Sequence, residues 1–221
     1  MKNFLAATAL LASAMSAHAA IVPLSFASCA NNLENAGGPV GATTGNTGTR
    51  LAAVTFNMLD PSIGNDSWAG TAGSYIAIRT SVTSPKAVYM AINSRYGQAD
   101  ITNATIAFRD STGKLHPVNL IGNSTIRDYN NWVWTDTINN TTTEEWWTNN
   151  FNPQPDDQSH REDVHYFDLS SEFAGLTLTA IVVKSPANAG TNYMQPLLWA
   201  VSVDTGKGGK KTLASTCQDY S

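Results

Sequence analysis

Between Tyr129 and Phe151 the chain gathers Tyr129, Trp132, Trp134, Trp146, Trp147 and Phe151, which include four of its six tryptophans. Asn130, Asn131, Asp136, Asn149, Asn150 and Asn152 are interleaved with them. Sugar recognition needs this mixture. The C–H face of a pyranose stacks on an aromatic ring, while amides and carboxylates bond its hydroxyls. Trp132 and Trp134 are two apart and would face the same side of an extended segment. The expectation is a stacking platform of Trp132, Trp134, Trp146 and Trp147, with Asn131, Asp136 and Asn149 as hydrogen-bonding partners. The alternative is that these rings pack loops onto the core, which needs no ligand.

A second cluster follows: Asp156, Asp157, Glu162, Asp163 and Asp168, with His160 and His165. Calcium takes hard oxygen ligands, and an acidic loop supplies several. Asp156, Asp157 and Asp163 are therefore candidate ligands of one structural calcium, the alternative being a solvated acidic loop. The EF-hand spacing is absent, and two histidines five apart suit neither the helical zinc pair nor another zinc pattern. Catalytic arrangements are weaker still. The chain has no Gly-x-Ser-x-Gly elbow, and a bridge between its two cysteines would leave no thiolate. Glycoside hydrolysis needs two carboxylates about 5–9.5 Å apart. Asp136, Glu144, Glu145 and the acids from Asp156 onward are candidates, but spacing singles out no pair.

These residues belong to a chain of 221 residues with a formal charge of −4, 14% charged and 42% hydrophobic residues. The length fits one domain with a real core. The mild acidity argues against a nucleic-acid partner, which calls for clustered Lys and Arg. Residues 1–19 read as a secretory signal peptide: Lys2 supplies the positive region, Phe4 to Met15 the apolar run, and Ala17-His18-Ala19 the cleavage motif, so the mature chain would start at Ala20. No later run is long enough to span a membrane. Cys29 and Cys217, near the two ends, would be joined in an oxidising compartment and bring those ends together in a single domain over 20–221. Five Asn-x-Ser/Thr sequons start at Asn65, Asn103, Asn123, Asn139 and Asn140, and matter only in a eukaryotic secretory pathway.

The elements that must carry these residues read as β almost throughout. Runs rich in β-branched and aromatic residues span Leu51–Leu59, Tyr75–Val82, Ala87–Asn93, Ala104–Phe108, Leu115–Ile121, Val164–Leu169, Leu176–Val183 and Leu197–Val203. In one of them Leu176, Leu178 and Ala180 alternate with Thr177, Thr179 and Ile181, which sets one side inward and the other outward. Ser170 to Gly175 has room for one helical turn. Gly37 to Gly48 lacks the ending of a phosphate loop and reads as a flexible connection, Asn139 to Asp163 as a long loop, and Gly206 to Lys211 as a short basic linker. Eight to ten short strands in one disulfide-closed domain predict an all-β antiparallel sandwich, jelly-roll-like. Asn93 and Gly97 would end and turn a strand, Gly97 at positive φ. Arg127 and Asp128 would form an ion pair, and Trp199 would be core.

Three stretches carry a resemblance. Val88 to Gly97 resembles the central strand and turn of exported galactose-binding-like β-sandwich domains. Ile126-Arg127-Asp128-Tyr129-Asn130 is similar to the motif that precedes their variable loop. Leu176 to Ile181 with Leu198 to Val203 resembles their last two strands. The resemblance implies a jelly-roll sandwich and a bias toward carbohydrate recognition, without a fixed ligand set. Such modules generally accompany a catalytic domain, and these 221 residues would be a free-standing copy. The expected function is thus a secreted, non-catalytic, lectin-like glycan binder. The alternatives are an adhesion or coat protein with a protein partner, and a polysaccharide hydrolase.

Overall fold

The computed structural model describes residues 19–33, 41–45, 54–130, 135–148, 160–187, 194–207 and 212–220. They form β1 (Ala19–Leu24), β2 (Gly41–Gly45), β3 (Val54–Met58), β4 (Trp68–Ala69), β5 (Tyr75–Thr83), β6 (Ala87–Arg95) and β7 (Thr102–Asp110). Next come β8 (Leu115–Ile121), β9 (Thr143–Thr148), β10 (Arg161–Asp168), β11 (Thr177–Lys184), β12 (Gln195–Lys207) and β13 (Thr216–Tyr220). One sheet has the order β1-β12-β6-β10-β9, with β4 also on β12, and the other β13-β5-β11-β7-β8. All these pairs are antiparallel. Taken in chain order, the eight strands β4 to β8 and β10 to β12 switch sheets at every step except the β7–β8 hairpin, giving β4-β12-β6-β10 and β5-β11-β7-β8. That is jelly-roll connectivity.

Ile76, Ile78, Ile106, Phe108, Ile181 and Val183 of one sheet meet Met90, Ile92, Phe167 and Val201 of the other in the inner core. The β2–β3 hairpin adds a third layer. Val54, Phe56 and Met58 cover the outer face of the first sheet at Tyr89, Ala91, Trp146, Val164 and Trp199. Strand β6 is consequently buried on both faces. Val88, Met90 and Ile92 enter the inner core and Tyr89 and Ala91 the outer one, which is why its sequence is an unbroken apolar run. Cys29, in a short 3-10 turn after β1, is bridged to Cys217 of β13 with Cα atoms 5.7 Å apart. The predicted turn after β10 is present, with the Phe173 N–H donating to the Leu169 carbonyl. Among the described residues no helix is long and apolar enough to cross a membrane.

Several expectations need correction. The alternation along β11 is broken at Thr179. Leu178 pairs with Asp110 and Ala180 with its neighbour Arg109, so Thr179 is an extra residue in a bulge. Ile181 therefore turns inward with Leu178 and Val183, all fully buried. Part of the expected flexible stretch at 37–48 is strand β2, paired with β3 from Gly41↔Met58 to Gly45↔Val54. The long loop at 139–163 contains β9 and the start of β10, and the expected basic linker begins inside β12, which runs to Lys207. Residues 1–18, most of the expected signal peptide, lie outside the described residues.

Candidate functional site

Strands β6 and β10 pair as far as Ala91↔Val164 and then part. The segment Ile126 to Asn130 enters the gap. Ser94 N–H donates to the Arg127 carbonyl (2.9 Å), Tyr129 N–H to the Ser94 carbonyl (2.8 Å), and Arg161 N–H to the Tyr129 carbonyl (2.8 Å). Where the direct ladder ends, the Asn93 side chain replaces it. Its amide donates to Asp163 Oδ2 (2.7 Å) and its carbonyl oxygen accepts the Asp163 N–H (2.9 Å). Wedging a polar segment into a sheet buries charges, and these charges are paired.

Arg127 closes on Asp163 with two parallel bonds, Nε to Oδ2 (2.8 Å) and Nη2 to Oδ1 (2.7 Å), and also reaches Glu145 Oε2 (2.9 Å). Arg161 binds Asp136 Oδ1 (2.6 Å) and donates to the carbonyls of Asp128 (2.8 Å) and Thr135 (3.3 Å). The expected Arg127–Asp128 ion pair does not form. The Asp128 carboxylate instead accepts the N–H groups of Gly97 (3.0 Å) and Asn130 (2.9 Å). Burial pushes this carboxyl up to about 6, against the pull of those amides and of Arg161. The positive φ of the turn falls on Tyr96, at 53°, and not on Gly97. Gly97 is required for another reason: a Cβ there would lie 2.3 Å from Ser94 Oγ and 2.4 Å from Thr135 Oγ1.

His165 is buried, its Nε2 2.9 Å from the Ile92 carbonyl and its Nδ1 3.3 Å from Thr143 Oγ1. Burial pushes the imidazole down to about 4. Near the surface of the wedge the Tyr129 ring lies 4.9 Å from His160, and the Arg95 guanidinium sits 5.7 Å from its centroid.

The structure divides the sequence-derived site residues. Trp146 is 3% exposed and meets Phe56 edge-on at 5.3 Å beneath the hairpin. Its faces are covered by the outer core, so it supports the site and cannot stack on a sugar. Trp147 is half-buried at the border of that core, across from Glu162. Asp136 keeps 38% of its side chain exposed beside Arg161. Asp163 is corrected as a calcium ligand, because it is fully buried and both its oxygens are taken by Arg127 and Asn93. Among the described residues no group of three or more His, Cys, Asp and Glu side chains is placed to hold a metal ion. Asn131, Trp132, Trp134, Asn149, Asp156 and Asp157 lie outside the described residues. The stems that flank them are adjacent: Asn130 bridges His160, Thr148 pairs with Arg161, and the Asp128 N–H closes on the Thr135 carbonyl at 2.8 Å.

Two carboxylates considered for hydrolysis, Asp136 and Glu145, are both held by guanidinium groups. Reading the sequence missed Arg161, Asn93 and the bridging role of Arg127. The available signal was the charged triplet Arg161-Glu162-Asp163 heading an apolar strand. At the other end of β10, an open cavity of about 290 Å³ is lined in part by Phe108, Leu115, Phe167 and Leu169. On its wall His116 bridges Asp110 (3.0 Å) and Glu172 (3.1 Å). No family model, curated protein or solved structure matches the chain.

Proposed function

We propose that the protein is an exported, non-catalytic glycan-binding jelly-roll domain of galactose-binding-like character. Its ligand face is built on residues 131–134 and 149–159 together with Trp147, next to stems that lie at the end of the first sheet. The observation that carries this reading is the adjacency of their stems, clamped at Arg127–Asp163 and Arg161–Asp136. A fixed base lowers the ordering cost of binding a flexible sugar. Trp147, with Trp132 and Trp134, supplies the aromatic faces, and Asn131, Asp136 and Asn149 supply the polar contacts. Export is supported by the leader-like residues 1–19 and by the disulfide, which forms in an oxidising compartment.

The test is a polysaccharide panel against wild type, Trp147→Ala and the double variant Trp132→Ala/Trp134→Ala, with folding verified by near-ultraviolet circular dichroism. At least one glycan should bind, and each variant should bind it at least about fivefold more weakly, taking the roughly 1–3 kcal/mol of a base–aromatic stack as the guide. Trp146→Ala is unsuitable because it disrupts the core. Unchanged binding in both variants, or no binding at all, overturns the reading. Capture of a protein that free sugars do not compete would move the assignment to an adhesion or coat protein.

A further inference from the structure

Glu162 is a chemical oddity in this framework. It is 2% exposed, and its Oε2 has no hydrogen-bond partner among the described residues. An ionised carboxylate in such a place would need several donors or a cation. The charged groups on the surrounding elements are Asp66 ahead of β4, Glu144 and Glu145 on β9, Arg127 and Asp128 on the wedged segment, Arg95 at the end of β6, and His160, Arg161 and Asp163 along its own chain. Arg127 is engaged by Asp163 and Glu145, and Arg161 by Asp136. The charges that act on Glu162 are Asp66 and Asp163, both carboxylates. Asp66 is itself buried and pushed up by burial. Burial first, then these two neighbours, raise the Glu162 carboxyl to about 8.

Its position gives the proton a mechanical role. Glu162 pairs with Trp147, whereas the next residue, Asp163, pairs with Glu145, so Trp146 is an extra residue in β9. The β9–β10 ladder is thus already interrupted beside Glu162, and among the described residues β9 is an edge strand of the sheet. We propose that Glu162 is a proton-operated latch on this edge: as the neutral acid it lets β9 lie on β10, and loss of its proton loosens β9 and the Trp147 it carries. The latch stands whether or not a glycan binds.

Opening β9 hydrates Glu162 and releases its proton wherever the closed form holds it and the open form does not. The opening equilibrium should then rise about tenfold per pH unit below pH 7, or about fiftyfold in all from pH 6 to pH 8, and level off above that. Amide hydrogen exchange of β9 in the full chain tests this, with Glu162→Gln as the permanently neutral reference and β11 as an internal control. The expected result is a pH-dependent loss of β9 protection in wild type that is absent in E162Q and absent from β11. Infrared spectroscopy of the wild type gives a second, mutation-independent measurement. A protonated-carboxyl carbonyl band should be present at pH 7 and bleach by pH 9. Absence of that band at pH 7, or β9 protection that parallels β11 at every pH, overturns the latch.

Discussion

A fully buried carboxylate such as Asp163 is tolerable because Arg127 meets it in a fork and Asn93 completes its shell. His165, two residues further along β10, solves the same problem by staying neutral. Its folded value, about 4, lies below the ordinary 6.5 because burial disfavours the cation. An unfolded chain takes up that proton as pH falls below 6.5, and the native chain does so only near 4. His165 therefore contributes stability that is complete above about 6.5 and drains away toward 4. The difference in unfolding free energy between wild type and His165→Gln should shrink by about 1.4 kcal/mol per pH unit across that window, measured by urea denaturation. Residue types in this cluster were legible in the sequence, but their partners were not. Arg127 has an acid next to it in sequence and pairs with one 36 positions away, because the wedge faces it toward β10.

At the level of elements, the central strands announced themselves. Strands β5, β6, β7, β11 and β12 are apolar or β-branched runs between turn residues, as a sheet interior demands, and of the edge strands only β8 read the same way. What escaped were edges and irregularities. Strand β9 reads Thr-Glu-Glu-Trp-Trp-Thr, and β2 is Gly- and Thr-rich, so neither shows a strand pattern without its partner. Bulges at Thr179 and Trp199 shift which residues face inward and leave no local mark. The hairpin β2–β3 explains the burial of Trp146, which composition alone would assign to a binding surface. Phe56→Ala should cost about 3–5 kcal/mol, as expected for a buried aromatic truncation. It should also red-shift tryptophan emission as Trp146 gains water, whereas a hairpin that contributes little would leave both stability and emission unchanged.

Taken whole, the molecule is a jelly roll whose first-sheet end is occupied by a polar wedge, with one covalent tie between sheets. Its class and its cysteine pair follow from strand-like runs and two well-separated cysteines. The third layer and the wedge depend on contacts between distant segments that no local pattern encodes. The Cys29–Cys217 bridge spans 188 residues, and the chain-entropy estimate for so long a loop is about 5 kcal/mol. The variant Cys29→Ala/Cys217→Ala should lose stability of that order in denaturant, and the same loss should follow reduction of the wild type. A change well under 1 kcal/mol would mean that the ends are held by β1 and β13 alone.

The bridge has a mechanical side as well. Cys29 lies just after β1 and Cys217 within β13, so a pull on the chain outside these two positions is carried by the sulfur–sulfur bond. The intervening strands, and the loop stems among them, stay unloaded until that bond is reduced. Tension at the ends can peel β1 from β12, but it cannot unravel the domain between the cysteines.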